Sequence, residues 1–177
     1  MSLSFELDPP VTPQLRENLV DLWADVTDAD GAVGFVPPAD RAAIRAEQLR
    51  HLTAMAEGRT RLLVGREADG TVAATAYLTL NTHRLMTHWC WLYTVMVHPR
   101  HQGKGYGRDL MAAAAEAARG LPGLTGIRLT CRGGRGVENF YAACGYKEVG
   151  RVPGAIRTGE DTYEDDITLW LELGPTG

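Results

Sequence analysis

Apolar positions along this chain follow two periods, and the switches between them mark its elements. Residues 3–7 alternate apolar and polar and predict a first strand. Leu15, Leu19, Leu22 and Trp23 recur at helical spacing and predict a helix over 13–25, capped by Thr12 and opened by Pro13. Residues 28–38, with Gly31, Gly34 and the Pro37-Pro38 pair, predict a loop. A second amphipathic helix over 40–57 is expected to turn Ile44, Leu49, Leu52 and Met55 inward and to end at Gly58. Strands over 60–66 and 71–80 flank Glu67-Ala68-Asp69-Gly70, an Asp-Gly hairpin signal. The run 88–98 predicts a long central strand, and 105–119 a helix stopped by Gly120-Leu121-Pro122-Gly123. A strand over 124–131, a short helix over 136–144 and a strand over 146–152 follow. Residues 154–166 predict a loop, and Ile167, Leu169 and Leu171 alternate in a closing strand over 165–173.

Composition narrows the class without naming a function. The 177 residues, 45% hydrophobic and 23% charged, suit one domain with a real core. No stretch reaches the roughly 18 apolar residues of a membrane span, so no membrane association is expected. The opening residues lack a basic segment followed by an apolar one, which predicts no secretory leader. Three cysteines, Cys90, Cys131 and Cys144, without paired metal spacing predict buried thiols, no metal site and a reducing, cytoplasmic setting. A net charge of −4 argues against nucleic acid, whose phosphates need a basic face.

The chemistry concentrates in Val97-His98-Pro99-Arg100-His101-Gln102-Gly103-Lys104-Gly105-Tyr106-Gly107. An apolar strand feeds a Pro-broken turn, three alternating glycines, and then a helix. Glycines there let the backbone approach a ligand closely, and the helix start offers free N–H groups and a positive dipole end. That is a phosphate cradle. A nucleoside-triphosphate loop, GxxxxGK followed by Ser or Thr, does not fit, because Lys104 lies between glycines. A dinucleotide GxGxxG fits weakly, because the next strand ends Leu129-Thr130-Cys131-Arg132 with no carboxylate for a ribose. A Gln/Arg-x-x-Gly-x-Gly/Ala pattern is met by Gln102, Gly105 and Gly107. A second motif follows in Val137-Glu138-Asn139-Phe140-Tyr141-Ala142-Ala143-Cys144-Gly145-Tyr146, a short helix closed by an αL glycine.

Together these motifs resemble the acetyl-CoA-binding core of the GNAT superfamily of N-acetyltransferases. The resemblance implies an α/β (α+β) fold of about four helices around a mixed, mostly antiparallel sheet of about seven strands, with splayed central strands, in one domain over 1–177. The motif core lies at about 88–150 and the substrate-side helices at about 13–57. It implies acetyl-CoA as co-substrate. Cofactor contacts are expected from Met96 and Val97 through pantetheine, and from Gln102, Gly103, Lys104, Gly105, Tyr106, Gly107 and Arg108 at the pyrophosphate. Asn139 is expected to flank the cofactor, and Tyr141 to protonate the leaving thiolate as general acid.

The chain departs from the family pattern in one place. Many relatives carry a Glu on the central strand as base, and Trp89-Cys90-Trp91-Leu92-Tyr93-Thr94-Val95-Met96-Val97 has none. His88 is the candidate base at the strand entrance, with His83, a Tyr93 relay and ordered water as alternatives. The expected partners are a small-molecule amine and a second copy of the chain. A peptide amine acceptor, or a CoA sensor without catalysis, stays open. Acidic Glu160, Asp161, Glu164, Asp165 and Asp166 read either as a dock for an ammonium or as a solvated loop. Trp23 and Phe35 are candidates for an acceptor pocket.

Overall fold

The computed structural model describes residues 3–174. The expectations of one unit over 1–177 and of a leader-free start extend onto residues 1–2 and 175–177, which lie outside the described residues. Strand β1 (Ser4–Leu7) leads into helices α1 (Pro13–Asp28) and α2 (Arg41–Ala56). Strands β2 (Thr60–Arg66), β3 (Val72–Leu80) and β4 (Trp89–Val97) follow. The remainder alternates: α3 (Tyr106–Arg119), β5 (Gly126–Arg132), α4 (Val137–Ala143), β6 (Lys147–Arg157) and β7 (Tyr163–Glu172).

Local chemistry explains the helix starts. The N–H of Leu15 donates to Thr12 Oγ1 at 3.1 Å, and Pro13 takes a position whose N–H has no helical partner. Asp40 caps α2 in the same way, accepting from the N–H groups of Ala42 and Ala43.

The seven strands form one sheet in the order β1-β2-β3-β4-β5-β7-β6, antiparallel everywhere except between β4 and β5. Helices cover both faces. Leu110, Met111, Ala114 and Ala118 of α3 pack on Leu78, Cys90, Leu92 and Ile127. On the other face Leu15, Leu19, Leu22, Trp23 and Ile44 pack on Leu62, Val64, Tyr77 and Met96. The mostly antiparallel, seven-stranded, four-helix fold is the one the motifs implied.

Two expectations are corrected. The inward face of α2 carries Ile44, Gln48, His51 and Met55, and Leu49 is 56% exposed. The expected loop over 154–166 is mostly a hairpin, with only 158–162 between its strands. Pro153 and Gly154 do not break β6. Val152 faces Asp166 and Ile156 faces Glu164, so the residues between bulge out of an edge strand, where a missing N–H costs little.

Candidate active site

A cleft opens in the middle of the sheet because β4 and β5 separate. They pair only at Trp89–Gly126, Cys90–Ile127 and Trp91–Arg128. Beyond Trp91, β4 also bulges on its other side: Tyr93 faces Tyr77 and Met96 faces Thr75, leaving Thr94 and Val95 opposite Ala76 alone. Thr94 takes φ +51°, a left-handed conformation that β-branched residues resist. Such strain gathers at sites where the backbone must be re-aimed.

The antiparallel ladder sorts the backbone groups beside the gap. His98 donates its N–H to Ala73 C=O at 2.8 Å, and Val97 faces Ala74. Alternation then turns the amide groups of Val97 towards the gap and those of Met96 towards β3. The Met96 side chain is 1% exposed in the core, so this residue reaches the cleft with neither part. Met96, expected as a pantetheine contact, is thus absent from the cleft wall, whereas Val95 and Val97 line it.

Behind the gap, a single 3-10 turn (Pro99–His101) leads into the glycine loop. Gly103 and Gly105 have φ +76° and +88°, and a Cβ on either would meet nothing within 4 Å. The N–H of Gln102 goes to Pro99 C=O, that of Lys104 to His101 C=O, and that of Arg108 to Gly105 C=O. The N–H groups of Gly103, Gly105 and Gly107 have no acceptor among the described residues. An open concavity with free amides at the positive end of a helix fits a diphosphate.

Gly107 serves a different need. A Cβ there would stand 3.1 Å from Phe140 Cζ, so it lets α3 and α4 approach closely.

The other loop candidates divide. Gln102, Gly103, Gly105, Gly107 and Arg108 line a cavity of about 640 Å³ together with Phe140 and Tyr141. Lys104 is exposed and is not part of that wall. The Tyr106 ring is buried in the core, 5.3 Å from the His101 ring. Asn139 sits on the exposed side of α4, also outside the wall.

The hairpin turn of β2–β3 holds the loop in place. Glu67 Oε1 lies 2.9 Å from His101 Nε2 and pairs with the Arg100 guanidinium. Those contacts, with His101 first and Arg100 after it, outweigh burial and hold the Glu67 carboxyl below its ordinary range.

A second cavity of about 480 Å³ adjoins the first, and both are lined by Ala32, Val33, Val95 and Tyr141. Tyr141 is 8% exposed, and burial pushes its hydroxyl pKa well above the ordinary tyrosine range. It therefore stays protonated and keeps a proton to give. Around it stand Trp23, Phe35, Glu47, His51 and Tyr93. His51 came from no motif. Its imidazole stacks on Tyr77, lies 3.5 Å from Thr94 Oγ1, and is driven by burial below the ordinary histidine pKa.

The structure does not bring His88 to this place. It is exposed at the paired end of β4, where its carbonyl accepts from the Thr125 N–H at 2.7 Å, and the gap opens towards the other end. His83 is exposed and also outside both cavities. Tyr93, 38% exposed, lines the second cavity. The thiols are free, and burial pushes Cys90 up to about 12, Cys131 up to about 11 and Cys144 upward, so none is an activated nucleophile.

Two acids of the hairpin have cationic partners. Arg135 pairs with Glu164, and Arg151 Nη1 reaches Asp165 Oδ2 at 2.9 Å. Among the described residues no group of three or more His, Cys, Asp or Glu is placed to hold a metal ion. No helix among them is long and apolar enough to cross a membrane.

The profile of the acetyltransferase (GNAT) family matches residues 22–146 of this chain. The chain belongs to the GNAT acetyltransferase family. Solved GNAT structures share the fold at low identity. A phosphinothricin acetyltransferase from Sinorhizobium meliloti in complex with acetyl-CoA superposes with a TM-score of 0.78 at 16% identity, over 98% of this chain and 90% of that one. A ribosomal-protein-alanine N-acetyltransferase from Brucella melitensis gives 0.74 at 19% identity, over 94% and 99%. A spermidine N-acetyltransferase chimera from Vibrio cholerae gives 0.71 at 16% identity, over 96% and 95%. In this GNAT chain the family profile spans the glycine loop, the splayed β4 and Tyr141 alike.

Proposed function

We propose that this protein transfers an acetyl group from acetyl-CoA to the primary amine of a small molecule, within one complex of protein, acetyl-CoA and amine. One observation carries the reading: Tyr141 borders both cavities where they meet at the break in β4. The larger cavity, with its free glycine amides and Arg108, fits the diphosphate end of acetyl-CoA. The smaller one fits an acceptor.

When bound, acetyl-CoA supplies an acetyl group activated as a thioester. The chain's own residues do the rest. Free amides of Gly103, Gly105 and Gly107 hold the diphosphate, and Arg108 adds a charge-assisted contact. The inward-turned amide groups of Val97 pair with the pantetheine arm. Tyr141 gives its hydroxyl proton to the departing sulfur, and the nitrogen that has become an amide gives back its surplus proton.

The acceptor side favours a small molecule over a peptide. The segment after α1 lies across the second cavity and is pinned to the far half of the sheet, with Arg132 Nη2 donating to Phe35 C=O at 2.8 Å. Arg135 pairs with Asp30 in the same segment. A strapped pocket suits a compact amine such as those acted on by the phosphinothricin and spermidine enzymes above. Free thiols throughout the fold suit the reducing environment of the cytoplasm.

The test is thermal unfolding with acetyl-CoA, followed by thiol release with phosphinothricin, spermidine and a peptide beginning with alanine. Saturation at about 100 times Kd adds ~2.7 kcal/mol of stability. Release with a small amine and none with the peptide is the expected result. Absence of any acetyl-CoA stabilisation refutes the reading.

A further inference from the structure

The central strand lacks the carboxylate that would serve as base, and His88 lies at its wrong end. The second cavity offers another group. His51 projects from α2 into the wall that faces Tyr141, with Glu47 one helical turn before it in the same wall. Three rings hold the imidazole: Tyr77 parallel to it at 4.1 Å, Trp23 at 6.1 Å and Tyr93 at 6.5 Å between centroids. Its Nε2 stands 3.5 Å from the hydroxyl of Thr94, the residue whose strained φ creates the bulge.

We infer that Nε2 of His51 takes the proton from the acceptor's ammonium nitrogen. The inference rests on the acetyl-transfer reading above and names the base of that same site. In this step one N–H bond of the ammonium breaks and one N–H bond forms on His51. The electron pair stays on the acceptor nitrogen, which becomes a nucleophile, and no other bond changes. Proton removal and proton delivery are thus divided between α2 and α4, on two sides of the broken strand.

The groups around His51 suit that task. Tyr77 from β3, Tyr93 from β4 and Tyr141 from α4 carry no charge at neutral pH, and burial raises the pKa of each further. Among the described residues Glu47 is the one anion that acts on the ring, and Arg50 Nη1 holds its carboxylate at 2.8 Å. Burial therefore outweighs Glu47 and keeps the imidazole neutral, ready to accept a proton. Glu47 remains placed to attract the ammonium to the ring.

Two measurements decide it. Histidine-ring NMR on the wild-type protein, with the His51 signal assigned by its absence in His51→Phe, reads protonation without any acceptor. A neutral ring at pH 7, titrating below the ordinary histidine value, supports the proposal, and a ring protonated at pH 7 overturns it. The second probe is acetyl-CoA itself with spermidine, or with water in its place, followed by thiol release from about pH 4 to 9, a window that reaches below the ordinary histidine value. His51→Phe keeps the ring stack, so it should keep the thermal shift with acetyl-CoA while losing about 10²-fold in rate and the acidic limb of the profile. An unchanged rate and limb in His51→Phe overturn the inference and leave the acetyl-transfer reading standing. A wild type that acetyl-CoA does not stabilise overturns both.

Discussion

The imidazole of His51 lies parallel to the phenol of Tyr77, with ring centroids 4.1 Å apart and 9° between their planes. The two residues come from α2 and β3, and the stacked imidazole lines the second cavity beside Thr94. Contact with an aromatic face removes water from a titratable ring, which is why a histidine here stays neutral. This pair turns a helix that reads as a packing element into a wall with chemistry.

The glycine loop gives a sharp test of phosphate binding. Gly105→Val forces a β-branched residue to φ +88° where its Cβ would touch nothing. The strain costs about 1–2 kcal/mol, so circular dichroism should still show the fold. The thermal shift with acetyl-CoA should vanish, because the side chain fills the open concavity. A retained shift would remove this loop from its role.

Tyr141→Phe deletes one oxygen and keeps the packing of a residue that is 8% exposed. Acetyl-CoA affinity, read by calorimetry, should be unchanged. Turnover should fall about 10²–10⁴-fold, the span of a lost general acid. Equal turnover would mean the thiolate leaves unaided or finds another donor.

Glu67 predicts a pH effect with a definite sign. Its carboxyl pKa is lower in the folded protein than in the unfolded chain. Its contribution is therefore fully present above the ordinary carboxylate value of about 4.3 and is lost as pH falls through the lower folded value. Denaturation midpoints of wild type and Glu67→Gln should differ most at neutral pH and converge in acid. The same variant, having freed His101 and Arg100, should bind acetyl-CoA more weakly at neutral pH, and a constant gap down to pH 3 would contradict the assignment.

Arg132 is the pin of the strap over the acceptor cavity. Arg132→Met leaves the Phe35 carbonyl without its donor, a loss of about 1–3 kcal/mol. Hydrogen exchange should rise across residues 32–36, and small amines should show a higher KM, while acetyl-CoA affinity holds. Protection that stays at the wild-type level would show that the strap is held from elsewhere.

Much of the site was legible because its signals are local. Thr12 with Pro13, the Asp-Gly turn and Gly145 each act within a few residues, and each forms the cap, turn or helix end expected of it. Gln102, Gly105 and Gly107 were legible for the same reason, since a loop that frees backbone amides is written in consecutive residues. The base was not. Leu49 and Leu52 suggested an inward stripe for α2, yet the helix turns Gln48 and His51 inward and leaves Leu49 exposed. Apolar periodicity finds the inward face only where the facing space is apolar, and α2 faces a cavity lined by Thr94 and Tyr93.

The sequence by itself therefore determined the order and kind of elements, the glycine loop ahead of α3 and the place of Tyr141 on α4. Only the tertiary structure decided that β4 and β5 part after Trp91, that Val97 rather than Met96 turns its amides to the gap, and that His51 meets Thr94. The reason is physical: caps, turns and glycine loops are set by neighbours along the chain. A cavity wall is set by which strands lie side by side and where their pairing stops.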